Sequence, residues 1–447
     1  MIRVYPQFLK TLLFFIVCTM NSCTKSKVVH DSAKGSSESL AVSFKSASSV
    51  SQVRSQIEKL PKDNIWWTVY GTDQSWNNKN LHRFMPTVNV YREGQVSVLE
   101  NKQDASIPNC LVTTPEGEMS FQDFITSDQS TVMGIVIVKD GAVVYEQYPR
   151  QEPYEKPIYW SVTKVVVSTL VAILEDRGKI DVNKAISFYI PELEDSDYKD
   201  ITVRNVLDMA TGVNCHEEYE DWESCYYKYS ITLGDGFFTD DSPKNPYEML
   251  AKIRPGFTAP QGTEYNYSGA NTFLLGWLVE KIMKMPFQDA LTKEIWSKIG
   301  AEADASILAP RYGVPITHGG LLARLRDVAR FGMLYTPSYS AIAKEKIISD
   351  KIVTRILDDG NPKLWENAFA NNAIKDDFSH SIYQWDQVYK NDDFYKGGWG
   401  GQGLLVNPKK NLVVAYTGYY KDKEASEVEL LPVLRRVLKE VYPDIEQ

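Results

Sequence analysis

The sequence predicts an α/β chain of the α+β kind: an antiparallel β-sheet flanked by helices, with an all-helical region inserted between its strands. Three observations carry this. Apolar strand-like runs occur at residues 134–145 and again at 402–416, toward the two ends of the main part of the chain. Between them, residues 180–300 read as helices and loops. Directly after the first strand pair comes Thr163–Leu174, a run apolar almost all round, as a buried helix is.

Length and composition fit a soluble globular protein: 447 residues, 43% hydrophobic and 24% charged. A net charge of −9 counts against nucleic acid as the main partner. In chain order, Arg3 and Lys10 precede the apolar run Thr11–Cys18, which is too short to span a membrane and reads as an export signal over residues 1–22. It ends in Asn21-Ser22-Cys23. That ending resembles a bacterial lipobox, which implies cleavage before Cys23, lipid modification of that cysteine and anchoring to an envelope membrane, periplasmic or at the cell surface. Residues 23–51 follow as a tether, with ten serines in positions 24–51. Residues 52–120 read as an N-terminal extension packed on the main domain: a short helix over Gln52–Leu60, then Trp66, Trp67, Trp76 and the alternating Val88–Tyr91. The tryptophans read as core or interface.

The main domain spans residues 121–447. Gly134–Val138 and Ala142–Tyr145 flank Asp140-Gly141, a strong hairpin signal. The helix after Ser161 ends near Gly178, which suits a C-cap. Thr202 is a candidate N-cap for a helix through Met209, and further helices are expected over Thr272–Met283 and Leu322–Leu334. Gln402–Val406 and Leu412–Tyr416 read as strands, and Ser426–Val441 as a closing amphipathic helix. Of the cysteines beyond Cys23, Cys215 and Cys225 are close enough in sequence to bridge a local loop, and the sequence leaves that open.

Ser161 and Lys164 stand one helical turn apart at the start of the apolar helix. The amine can accept the hydroxyl proton, and the positive helix end favours developing negative charge. Ser-x-x-Lys also occurs at Ser22–Lys25 and Ser196–Lys199, but the first straddles the cleavage site and the second lies in a polar loop. Tyr267 opens a helix and could share a proton with serine or lysine, its pKa lowered by a nearby ammonium. Lys396-Gly397-Gly398-Trp399-Gly400-Gly401-Gln402 lets backbone approach a ligand, and an edge strand there could offer an N–H to an oxyanion. His318, before Gly319-Gly320, could line the cleft.

Together these stretches, with Val203–Val213 and Gly319–Gly332, resemble the serine β-lactamase and penicillin-binding-protein superfamily, closest to the class C-like branch of esterases and 6-aminohexanoate-oligomer hydrolases. The resemblance covers roughly residues 130–420. It implies a β-lactamase/transpeptidase-like fold and a serine hydrolase with no cofactor and no metal, acting on a small-molecule amide or ester. Ser161 would be acylated, Lys164 would take its proton, and Tyr267 would relay the proton to the leaving group. The backbone N–H groups of Ser161 and Trp399 would form the oxyanion hole, and Lys396, Gly398, Gly400, Gln402 and His318 would bind substrate. Lys164 and Tyr267 are treated as one coupled unit.

Two positions depart from the β-lactamase pattern. Gly269 stands where the Tyr-x-Asn motif has its amide, and Gly397 where Lys-Thr-Gly has its hydroxyl. This weighs against a dedicated β-lactamase or DD-peptidase, which remains the alternative enzyme. A catalytically silent cell-wall or partner-binding lipoprotein is the alternative of another class. A Ser-His-Asp hydrolase lacks its Gly-x-Ser-x-Gly elbow, and adjacent ligands at Cys215-His216-Glu217-Glu218 cannot easily reach one metal ion.

Overall fold

Alternate residues of the central strands feed two separate cores, so these strands are apolar throughout. Strands β1 (Glu100–Asn101), β2 (Gly134–Lys139), β3 (Ala142–Gln147), β4 (Phe378–Ile382), β5 (Trp385–Tyr389), β6 (Phe394–Gly398), β7 (Gln402–Asn407) and β8 (Leu412–Thr417) form one sheet in the order β1-β3-β2-β8-β7-β6-β5-β4. The computed structural model describes residues 48–61, 66–236, 238–365, 377–425 and 430–443. Cys23, the export signal and the tether up to residue 47 lie outside the described residues.

On β2, Ile135 and Ile137 join one core while Val136 and Val138 join the other. The first core packs against the closing helix, Leu430–Val441, through Leu431, Leu434, Val437 and Leu438. The second holds the helix α1 (Thr163–Asp176), whose residues 163–174 are all buried. Gly332, in the helix Leu325–Met333, permits close packing here: a Cβ on it would lie 2.6 Å from Val413 Cγ1. The hairpin turn between β2 and β3 has positive φ at both Asp140 (51°) and Gly141 (80°), as a tight two-residue turn requires. Antiparallel pairing of β8 with β2, Ala415 opposite Val136, joins the two ends of the domain, with the helical region between them in sequence.

The segment before residue 121 is woven into this frame. Thr87–Val90 pairs with Ala305–Leu308, which in turn pairs with Leu321–Leu322. Strand β1 adds to the main sheet parallel to β3. The helix Gly71–Asn80 also belongs to this segment, and most of its residues from Gln74 onward are buried.

Three local expectations are corrected. Leu321–Leu322 is a strand, and the helix expected from Leu322 begins at Leu325. The helix capped by Thr202 stops at Leu207, because Met209 adopts a positive φ of 54°. Residues 394–398 form a strand inside the sheet order rather than at its edge, although β5 pairs only with its first two residues and leaves Lys396–Gly398 open on that side. Among the described residues no helix is long and apolar enough to cross a membrane.

Candidate active site

The chain enters α1 through a single 3-10 turn, Trp160–Val162, which carries Ser161. Trp160 sits in the left-handed region at φ 43°, a conformation that costs a β-substituted residue on the order of 1 kcal/mol and recurs at functional sites. Lys164, in the first turn of α1, is buried, and its Nζ has three acceptors. They are Ser161 Oγ at 3.0 Å, Glu217 Oε1 at 3.1 Å and the His318 carbonyl at 3.1 Å. An ammonium has three N–H donors and satisfies all three. A neutral amine keeps two donors for Glu217 and His318 and turns its lone pair to the serine. Burial holds the Lys164 pKa below that of a free lysine, assisted by Lys396, while Glu217 pulls it back up.

Tyr267 is hydrogen-bonded to Ser161. Lys396 Nζ donates to the Tyr267 hydroxyl at 3.0 Å and is ion-paired with Asp386. The expected lowering of the Tyr267 pKa does not occur. Burial raises it well above 10, and Asp386, Glu217 and Tyr265 add to the rise, so Tyr267 is a neutral phenol at physiological pH. In that state it can pass a proton along its hydrogen bonds but is not a standing phenolate base. His318 lines the cavity. Its ring Nδ1 meets the Tyr229 hydroxyl at 3.0 Å, and burial beside Lys164 keeps its pKa well below 6.5.

These groups open onto a cavity of about 80 Å³ lined by Ser161, Lys164, Tyr267, His318, Glu217, Asp235 and an aromatic wall. The wall is Trp67, Trp160, Trp399 and Tyr219, with Trp66 beside it. Trp67 is its centre, with ring centroids 4.8 Å from Trp399, 5.0 Å from Tyr219 and 5.3 Å from Trp160. Asp235 is buried, and burial together with Glu217 raises its pKa to about 7.

Gly398 packs directly on the nucleophile segment: a Cβ there would stand 2.5 Å from the Tyr159 carbonyl and 3.2 Å from the Ser161 backbone nitrogen. The strand end carrying Trp399 therefore abuts the Ser161 amide, bringing together the two residues expected to donate to an oxyanion.

Four expected substrate-binding residues, Lys396, Gly398, Gly400 and Gln402, do not line the cavity. Lys396 is fully buried and ion-paired with Asp386, so it is not a free charge for binding substrate. The Gln402 amide donates to the Gly400 carbonyl at 3.2 Å and the Gly418 carbonyl at 2.9 Å, bracing the loop from behind. Gly400 fits beside Gln74 and Asn78. Gly269 also has a steric reason: a Cβ would lie 2.8 Å from the His318 ring and would collide with the Tyr226 hydroxyl. The space of the β-lactamase amide is filled. The Gly397 N–H donates to Asp386 Oδ2 at 3.0 Å.

Sequence reasoning gave no catalytic-site role to Glu217, Asp235, Tyr219 or Asp386; Trp66 and Trp67, read as core or interface, are buried in the core and in addition line the cavity. Glu217 had one signal, its place between Cys215 and Cys225, which form a disulfide. That bond removes Cys215 from any metal site, and among the described residues no cluster of ligand types suits a metal ion.

A family model for beta-lactamase matches residues 120–429. The chain is 27% identical over 299 residues to the 6-aminohexanoate-dimer hydrolase of Paenarthrobacter ureafaciens, covering 66% of this chain and 75% of that one. It is 21% identical over 221 residues to a Providencia stuartii beta-lactamase, covering 47% and 52% of the two chains. A solved structure from Bacillus anthracis, provisionally described as a 6-aminohexanoate-dimer hydrolase, superposes with a TM-score of 0.69 at 20% identity, covering 82% of this chain and 93% of that one. The match over most of the domain and the shared fold bear out the resemblance read from the sequence: the chain belongs to the beta-lactamase family of serine hydrolases.

Proposed function

We propose that the protein is an exported hydrolase that cleaves an amide or ester bond of a small substrate through an acyl-enzyme on Ser161. The observation that carries this is the hydrogen bond from Lys164 Nζ to Ser161 Oγ, 3.0 Å long, on the wall of the cavity. The neutral amine of Lys164 takes the serine proton as Oγ attacks the carbonyl carbon. The tetrahedral oxyanion is held by the Ser161 and Trp399 amides. The proton passes through Tyr267 to the leaving nitrogen or oxygen, and water releases the acid by the reverse route.

The lining supports a substrate that carries a cationic amine. Asp235 offers a carboxylate, and the faces of Trp67, Trp160 and Trp399 suit an ammonium or its alkyl stem. A linear amide of an amino acid, the kind of molecule the Paenarthrobacter relative is named for, has this form. The filled sites around Gly269 disfavour the β-lactam reading. Export and lipid anchoring at Cys23 rest on the sequence, and the Cys215–Cys225 disulfide supports an oxidising compartment.

Incubation with a fluorophosphonate or an activated ester, read by peptide mass, is expected to label Ser161. Ser161→Ala should lose both the label and hydrolysis by at least about a thousandfold. A panel of p-nitrophenyl esters, small linear amides and a chromogenic β-lactam then ranks the substrate classes. Absence of label on Ser161 with every reagent would sink the acyl-enzyme reading.

A further inference from the structure

Glu217 sits where no packing requirement puts it. Its side chain is 24% exposed, yet Oε1 meets the buried Lys164 Nζ at 3.1 Å and the Tyr226 hydroxyl at 3.2 Å. Its backbone N–H donates to the carbonyl of Tyr267 at 3.1 Å. One residue thus touches both members of the proton-transfer pair, one through its side chain and one through its backbone.

The Cys215–Cys225 disulfide fixes this placement. Its two Cα atoms are 5.1 Å apart across a ten-residue separation. Cys215 lies two residues before Glu217, and Cys225 lies directly before Tyr226 at the start of the helix Cys225–Leu233. Each sulfur therefore anchors one side of the Glu217–Tyr226 hydrogen bond. The closed loop also carries Tyr219, whose hydroxyl meets that of Tyr226 at 3.2 Å and whose ring stands edge-on to Trp67. Without the cross-link, a loop of this length loses the constraint that holds its ends together.

We propose that Glu217 is a positioning residue for Lys164 and that the Cys215–Cys225 disulfide is the clamp that keeps it there. Glu217 holds the Lys164 amine directed at Ser161 and sets how readily that amine gives up its proton. The inference rests on the serine-hydrolase reading above. The charged groups facing Lys164 are Glu217, Lys396 and Asp386, with the phenol of Tyr267 and the neutral His318 beside them. Asp235 and Tyr226 face Glu217. Of these, Glu217 is the acid in direct contact with the amine.

The test uses an uncharged ester, so that recognition of a substrate amine does not enter. The acidic limb of kcat/KM against pH reports loss of the Lys164 proton. In Glu217→Gln this limb is expected to move down by about 1–3 pH units, because an adjacent opposite charge is removed. kcat on the plateau should fall at least about tenfold with KM little changed. The Cys215→Ser/Cys225→Ser double variant, and reduction of the folded wild type, should move the limb in the same direction. In the Glu217→Gln background, loss of the disulfide should add little, since the group it positions is already gone. An unmoved limb in Glu217→Gln overturns the proposal. So does a disulfide defect that multiplies the Glu217→Gln defect instead of being masked by it. The titration of Lys164 in protein with 13C-labelled lysine, assigned through Lys164→Arg, gives the same comparison by NMR without turnover. A fall in Glu217→Gln supports the proposal even if the Ser161 reading fails, and no change overturns it even if that reading holds.

Discussion

Lys164 is a buried amine with three acceptors, and the residues around it divide the work of controlling its proton. Desolvation drives it toward the neutral form that a general base needs, while Glu217 opposes this and keeps the amine aimed. Asp235 is governed by the same physics with the opposite sign of charge. Its pKa is raised from 3.8 to about 7, so the folded protein binds this proton more tightly than the unfolded chain. Asp235 therefore weakens the fold progressively as pH rises from about 4 to about 7, by about 1.4 kcal/mol for each unit of pKa difference, and the full penalty is present above pH 7. Asp235→Asn is expected to raise the melting temperature at pH 8 and to change it little near pH 4. Thermal unfolding at the two pH values checks this; an equal shift at both would show that the carboxylate is not the source. The same substitution should raise KM for an amine-bearing substrate more than for an uncharged ester. A residue that costs stability and lines the cavity is of the kind retained for binding rather than packing.

At the scale of elements, the helix Gly71–Asn80 supports the site from outside the family-matched region. Asn78 Oδ1 accepts from the Trp160 indole at 3.2 Å, and its Nδ2 donates to the Gly418 carbonyl at 3.1 Å. One side chain ties the nucleophile turn to the end of strand β8. The Asn78 carbonyl also accepts the Ile158 N–H at 2.8 Å, so this helix holds the chain just before Ser161. Asn78→Ala leaves the Trp160 indole N–H without its acceptor, a loss of about 1–3 kcal/mol, and takes one of two donors from the Gly418 carbonyl, which keeps Gln402. The expected result is a lowered melting temperature together with a drop in kcat of about tenfold or more. Retention of full kcat in the folded variant would remove the helix from the catalytic frame. Neither bond was visible in the sequence, because an asparagine 82 residues before its indole partner leaves no local signal. The hairpin at Asp140-Gly141 and the apolar helix after Ser161 were legible because their causes are local: a turn needing positive φ, and a periodicity with no polar face.

For the whole molecule, the sheet order brings β8 beside β2 and so closes one domain from both ends of the sequence. The N-terminal segment enters this frame through β1 and through Thr87–Val90, and it supplies Trp66 and Trp67 to the cavity. The proposed lipid anchor lies before this frame. Growth of an expressing bacterium with a palmitate analogue should label the full-length protein, and Cys23→Ala should abolish that label while leaving ester hydrolysis by purified protein within about twofold of wild type. Label that survives Cys23→Ala would refute anchoring at this residue. By itself the sequence determined the fold class, the family, the Ser161–Lys164 pair and the absence of the β-lactamase amide at position 269, since each follows from short-range pattern or residue identity. Only the tertiary structure decided that Lys396 is ion-paired with Asp386, that Glu217 bonds Lys164, and that tryptophans of the N-terminal segment line the cavity. Those contacts join residues distant in sequence. Their partners are set by how the strands and helices pack, and burial then sets the protonation of each group.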